Sequence, residues 1–185
     1  TLGDLVERVQ GLSPMDQSKV WALIEDWSQR EFNDELRVNL RNRIRQFVFT
    51  RRGWRTLDDL TRIRAQAACD LLTPRDTVLN FSWLFETSWI TESFDEHEDE
   101  KSDFQKREAR IAGIRTNALV QIWKEQQMNG IVKLLSGCGA PYAIGWNMAD
   151  GVIDRSRDTD FVREFIEVFP ENIKAKCEEM LRAFL

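Results

Sequence analysis

The apolar positions of this chain recur at helical spacing in nearly every window, and that periodicity constrains the fold more than any other feature. Val20, Leu23, Ile24 and Trp27 make one stripe, and Leu36, Leu40, Ile44, Phe47 and Val48 a second. Leu57, Leu60, Ile63, Ala67 and Leu71 form a third, and Phe104, Ile111, Ile114, Ala118 and Ile122 a fourth. Near the end, Phe161, Val162, Phe165, Ile166 and Phe169 precede Ile173, Cys177, Met180, Leu181 and Phe184. No stretch alternates with period two for long enough to make a strand. The 185 residues hold nine Gly and four Pro, about 7% turn formers against a usual level of about 12%. That shortage disfavours a sandwich or barrel of many short strands. The expected fold is all-α, with about nine or ten helices.

The helix starts carry their own signals. Ser13-Pro14-Met15-Asp16 and Thr73-Pro74-Arg75-Asp76 share a capping hydroxyl, a Pro at the first helical position and an Asp at the third. Pro loses nothing there, because that amide has no intrahelical partner, and the Asp complements the helix dipole. Thr1-Leu2-Gly3-Asp4 and Thr56-Leu57-Asp58-Asp59 read as two more caps, and Ser102-Asp103-Phe104-Gln105 as a capping box.

These caps come in matching pairs, which suggests an internal repeat. Thr1-Leu2-Gly3-Asp4-Leu5 pairs with Thr56-Leu57-Asp58-Asp59-Leu60, and Leu12-Ser13-Pro14 with Leu72-Thr73-Pro74. Trp21 and Phe81 each follow the Pro by the same interval, and Leu23-Ile24 stands in step with Trp83-Leu84. The expected organisation is a single helical domain over 1–185, with three-helix repeats at 1–55 and 56–128 and capping helices at 130–185. That is either an armadillo- or HEAT-like α-solenoid segment or an irregular multi-helix bundle.

Charge is distributed in two blocks. Arg37, Arg41, Arg43, Arg45, Arg51, Arg52 and Arg55 lie between positions 37 and 55 with no acidic residue among them, and Trp54 sits in the same stretch. Such a strip suits phosphate neutralisation with Trp54 stacking on a base, or a solvated face paired with acidic neighbours. From Glu92 to Asp103 the sign reverses. Asp95, Glu96, Glu98, Asp99 and Glu100 surround the single histidine, His97. Carboxylates around a His can bind a divalent metal, but the stretch has neither an EF-hand glycine nor a second His, so an exposed acidic loop is the plainer reading. A third possibility joins the two blocks: arginine forks meeting carboxylates across a repeat or protomer interface. Arg outnumbers Lys 19 to 7, and Arg is the better partner for such bidentate contacts.

Catalytic signatures are missing from the sequence. The glycine-dense stretch Gly137-Cys138-Gly139-Ala140-Pro141-Tyr142-Ala143-Ile144-Gly145 lacks the Lys-Ser/Thr of a P-loop and follows no strand, so it reads as a helix–helix turn entering at Pro141. Cys69, Cys138 and Cys177 have no zinc-ligand or CxxC spacing and are expected as buried free thiols in a reducing cytoplasm. No apolar run is long enough to span a bilayer, and the polar start Thr1-Leu2-Gly3-Asp4 reads as a helix entry rather than a leader. Because no Met opens the chain, it is expected to be a piece of a longer protein. Most of the seven Trp lie on apolar stripes and are expected in the core, with Trp27, Trp54 and Trp89, near helix ends, as candidate interface anchors.

The stretch Leu72-Thr73-Pro74-x-Asp76 through Trp83-Leu84-Phe85, followed by the acidic block and Arg107-x-x-Arg110-Ile111, resembles the helical-repeat regions of large bacterial multidomain proteins, some of which act in defence against phage. The resemblance spans roughly residues 72–125. It implies a non-catalytic segment that senses, scaffolds or oligomerises, with any catalytic domain elsewhere, and it carries over no catalytic residue. The functional expectation is therefore a helical interaction module without cofactor, whose partner is a protein or a second copy. Nucleic-acid binding through the arginine strip is the alternative. An enzyme with a helical-bundle cleft near Trp83, Trp123 and Tyr142 comes third.

Overall fold

The computed structural model describes residues 2–9, 11–47, 57–88, 90, 104–153 and 158–185. Among them every element is helical: α1 Leu2–Val9, α2 Pro14–Ser28, α3 Asp34–Phe47, α4 Asp59–Leu71, α5 Thr77–Phe81, α6 Phe104–Gly137, α7 Pro141–Gly151, α8 Asp158–Val168 and α9 Lys174–Phe184, with 3₁₀ turns at Ser82–Phe85 and Glu171–Ile173. The fold is all-α, as the periodicity requires. The described residues separate into two compact units, one running to Asp76 and the other beginning at Thr77.

Local chemistry explains three of the helix starts. Ser13 Oγ accepts from the Asp16 amide at 3.3 Å and donates to the Asp16 carboxylate at 2.7 Å, with Pro14 at the first helical position of α2. Asn33 caps α3, its Oδ1 accepting from the Leu36 amide at 2.8 Å. The cap of α4 is Asp58, whose Oδ1 accepts from the Thr61 amide at 2.8 Å; Thr56, the expected cap, lies outside the described residues. Thr73-Pro74 departs from expectation more plainly, since no helix begins there and α5 starts only at Thr77. The reason is a competing acceptor. The Asp34 carboxylate takes the Arg75 and Asp76 amides, each at 3.0 Å, so the donors that a Thr73 cap would serve are held from α3 instead.

In the first unit, α2 packs on α4, and α1 on both α2 and α3. Its core holds Val6, Val9, Trp21, Ile24, Ile44, Leu57, Ala65, Ala68, Cys69 and Leu72. The second unit is larger. Phe161 stands at the centre of an aromatic cluster, edge-on to Trp123 at 5.8 Å, stacked on Phe165 at 5.8 Å and tilted against Phe184 at 4.8 Å. There α7 and α9 come close at Gly145, where a Cβ would sit 2.0 Å from the Met180 carbonyl oxygen. The glycine-dense stretch is indeed a helix–helix turn, with Pro141 opening α7. Within it the Gly139 and Ala140 amides both donate to the Phe85 carbonyl, at 3.0 and 3.1 Å. A Cβ on Gly139 would collide with the Glu86 carbonyl at 2.1 Å. The long helix α6 runs past the expected end at 128 but breaks at Gln127, whose φ of 48° and ψ of −135° lie far from helical values.

Candidate functional site: the arginine strip and the outward apolar ridges

Of the seven expected arginines, Arg37, Arg41, Arg43 and Arg45 lie on α3 and are described; Arg51, Arg52 and Arg55, and with them Trp54, fall outside the described residues. Arg37 is committed to main-chain acceptors, with Nε donating to the Phe32 carbonyl at 3.1 Å and Nη1 to the Leu71 carbonyl at 2.8 Å, at the end of α4. Arg41 and Arg45 both reach the Cys69 thiol on α4. Burial pushes that thiol's pKa up, and the two guanidiniums oppose the rise through charge and hydrogen bonding without overcoming it. Arg43 alone of the four is exposed. Arg37, Arg41 and Arg45 are thus half-buried and tie α3 to α4, while Arg43 faces solvent. Asp95, Glu96, Glu98, Asp99 and Glu100, together with His97, lie outside the described residues. Among the described residues no cluster of His, Cys, Asp or Glu is grouped to hold a metal ion.

The same use of basic side chains recurs in the second unit. Arg115 is 7% exposed and donates through Nε to the Leu84 carbonyl at 2.9 Å and through Nη2 to those of Thr87 and Ser88 at 3.0 and 3.3 Å. Burial draws its pKa down. Arg107 donates to the Ile90 carbonyl at 2.8 Å, and Lys176 Nζ to those of Ser136 and Cys138 at 3.1 and 2.7 Å, at the end of α6. Orphan carbonyls at helix and turn ends need such donors. Sequence reasoning missed Arg115, although a signal existed: it interrupts the stripe of Ile111, Ala118, Leu119 and Ile122, where an unpaired cation would be prohibitive.

Solvent-facing apolar ridges are the other unanticipated feature. On α4 the expected core stripe turns outward. Leu60 is 51% and Ile63 66% exposed, and Leu71 is exposed as well, while Thr61, Ala65, Ala68 and Cys69 are buried. On α2, Leu23 and Trp27 are exposed and Ile24 is buried, with the Arg30 guanidinium 4.7 Å over the Trp27 ring. On α7, Trp146 is 66% exposed and Tyr142 lies one turn before it, also exposed. Trp146 is not a core residue, because Ala143, Ile144, Asn147 and Met148 supply the buried arc of its helix. Trp21 is fully buried, and Trp83 and Trp123 pack against the second core; Trp89 lies outside the described residues. All three cysteines are buried and free. No described helix is long and apolar enough to cross a membrane.

Comparison with protein-family models, with curated proteins and with solved structures finds no match to this chain.

Proposed function

We propose that the chain is a helical protein-interaction module, a scaffold, sensor or association segment of the kind found in large bacterial multidomain defence proteins. The observation that carries this reading is the outward stripe of α4. Four apolar residues, Leu60, Ile63, Ala67 and Leu71, follow one another at i, i+3, i+7 and i+11, the spacing of one helix face. Three of them are exposed. Isolated apolar residues on a surface are ordinary, whereas a helix-length row of them marks an interaction face. Trp146 and Tyr142 on α7 offer a second set of anchors, of the residue types that dominate binding energies.

The reading favours protein over nucleic acid because three of the four described arginines of the strip are engaged within the first unit. Arg37 serves two carbonyls and Arg41 and Arg45 serve Cys69, so a phosphate would have to compete with contacts that hold α3 to α4. A photo-crosslinking residue placed at 63, at 146 and, as a control, at the exposed Gly113 tests the proposal in the cells that make the protein. It calls for a defined polypeptide adduct from 63 or 146 and none from 113. Absence of any adduct from both 63 and 146 would contradict it.

A further inference from the structure

The break inside α6 gives the second unit two ways to close. We infer that α6 is a bistable hinge at Gln127, and that its straight form builds a dimer in which two copies of this chain exchange residues 128–185. The inference stands apart from the α4 stripe and concerns the second unit alone.

The bend is sharp. In a continuous α-helix, residues eight apart are separated by about 12 Å along the axis. Here a Cβ on Gly130 would sit 2.7 Å from Ile122 Cγ2 and 3.4 Å from the Ile122 carbonyl oxygen. The chain therefore folds back on itself, and the missing side chain of Gly130 makes room for it. Gln127 carries the turn, with φ 48° and ψ −135°, and among the described residues it alone has positive φ. Glycine or asparagine tolerates that region far better than glutamine. Yet Asn129 and Gly130, just beyond it, do not take the positive φ. The Gln127 side chain is exposed, so no packing of its own holds the turn.

Tertiary packing holds the bend against the local preference. Ala118, Leu119 and Ile122 before it and Ile131, Leu134 and Leu135 after it are buried in one core. Thr116 Oγ1 donates to Asn147 Oδ1 at 3.2 Å, tying the first half of α6 to α7. The hinge itself, Lys124-Glu125-Gln126-Gln127-Met128, is a run of strong helix formers. With Gln127 helical, α6 becomes one straight helix of 34 residues, about 50 Å long, and residues 128–185 leave their core. A second copy in the same state offers the identical set of contacts, so mutual exchange buries that surface again and closes with two-fold symmetry. The two forms share their core contacts and differ at the hinge. The straight form sheds the strain of positive φ and bears the entropic cost of association, which makes the balance one of concentration.

The test uses the full chain, refolded from denaturant at low and at high protein concentration and sized by chromatography with light scattering. A dimer should form at high concentration and revert slowly on dilution. Gln127→Gly eases the turn of the bent form and should lower the dimerisation constant about 25-fold, about fivefold for each of two hinges. Gly130→Ala sets a methyl against Ile122 and Gln126 and should raise it. Thr116→Cys/Asn147→Cys identifies the exchange. After oxidation with glutathione disulfide, the dimer peak should run as a covalent dimer on a non-reducing gel and the monomer peak as a monomer. A chain that stays monomeric throughout, Gly130→Ala included, overturns the inference. So does a dimer that Gln127→Gly fails to weaken, or one whose 116–147 disulfides all close within a chain. Should the cysteine pair fail to fold, the opposite shifts of Gln127→Gly and Gly130→Ala decide the question on their own.

Discussion

Arg115 occupies a position where the periodicity of α6 calls for an apolar side chain, and three carbonyl oxygens make it tolerable there. Its removal leaves those acceptors without their donor in a buried setting. Arg115→Met should therefore destabilise the protein by about 2–4 kcal/mol, read as a fall in denaturant midpoint; a loss within a few tenths of a kcal/mol would mean that the carbonyls find other donors. Asp34 is the anionic counterpart. The Arg75 amide above all, with the Asp76 amide and the Arg37 charge, holds its carboxyl below the usual carboxylate range against the opposing effects of burial and of the Asp76 charge. Because the folded pKa lies below the unfolded value of about 3.9, the contribution of Asp34 is complete above that pH and is lost as pH falls through the depressed folded value. The stability gap between the native chain and Asp34→Asn should accordingly shrink below about pH 4. A gap constant from pH 7 to pH 2 would show that the carboxylate charge is not what matters. Gln127 carries a different kind of cost, since positive φ disfavours any residue with a Cβ. Gln127→Gly should raise stability by about 1 kcal/mol, whereas glycine in an ordinary helix interior lowers it by a similar amount; thermal melts distinguish the two signs.

Among the elements, α4 shows where sequence periodicity misleads. Both arcs of this helix are apolar enough to be buried, and the larger side chains, Leu60, Ile63 and Leu71, suggest the wrong one. The arc that faces the core is the one with small residues, Ala65, Ala68 and Cys69. Small residues let α2 come close and give the fully buried Trp21 and Ile24 room beside them. Hydrophobic volume ranks residues for burial, but fit decides, and fit depends on Trp21, 44 positions earlier in the chain. The caps divide in the same way. Ser13-Pro14 is legible because all its partners are local, while Thr73-Pro74 misleads because Asp34 takes the amides from a distance. The α7–α9 crossing carries the sharpest steric requirement. Gly145→Ala places a methyl against the backbone of α9 and should cost about 3 kcal/mol or more. Gly113→Ala, in a helix interior where a Cβ would meet nothing within 4 Å, should gain up to about 1 kcal/mol. Equal effects at the two sites in chemical denaturation would rule out the close crossing.

At the scale of the whole molecule, fold class is what the sequence makes legible. All-α structure followed from period and composition, and the helix–helix turn at 137–145 from its glycines and Pro141. The arginine strip was visible as a charge block but not as a set of internal ties, because carbonyl acceptors at helix ends leave no mark in a sequence. The acidic block stays at the level of the sequence, its residues lying outside those described. What the fold adds is the outward orientation of the Leu60, Ile63 and Leu71 side chains of α4, on which the proposed interaction module rests. The most direct measurement is the thermal unfolding of Ile63→Glu beside Ala65→Glu. With Ile63 66% exposed and Ala65 fully buried, the first should melt within a few degrees of the native chain, about 0.5 kcal/mol in stability at most. The second should lose several kcal/mol, about the penalty of burying an unpaired charge. A large loss in Ile63→Glu with Ala65→Glu unaffected would place the Leu60–Leu71 stripe in the core and contradict the account.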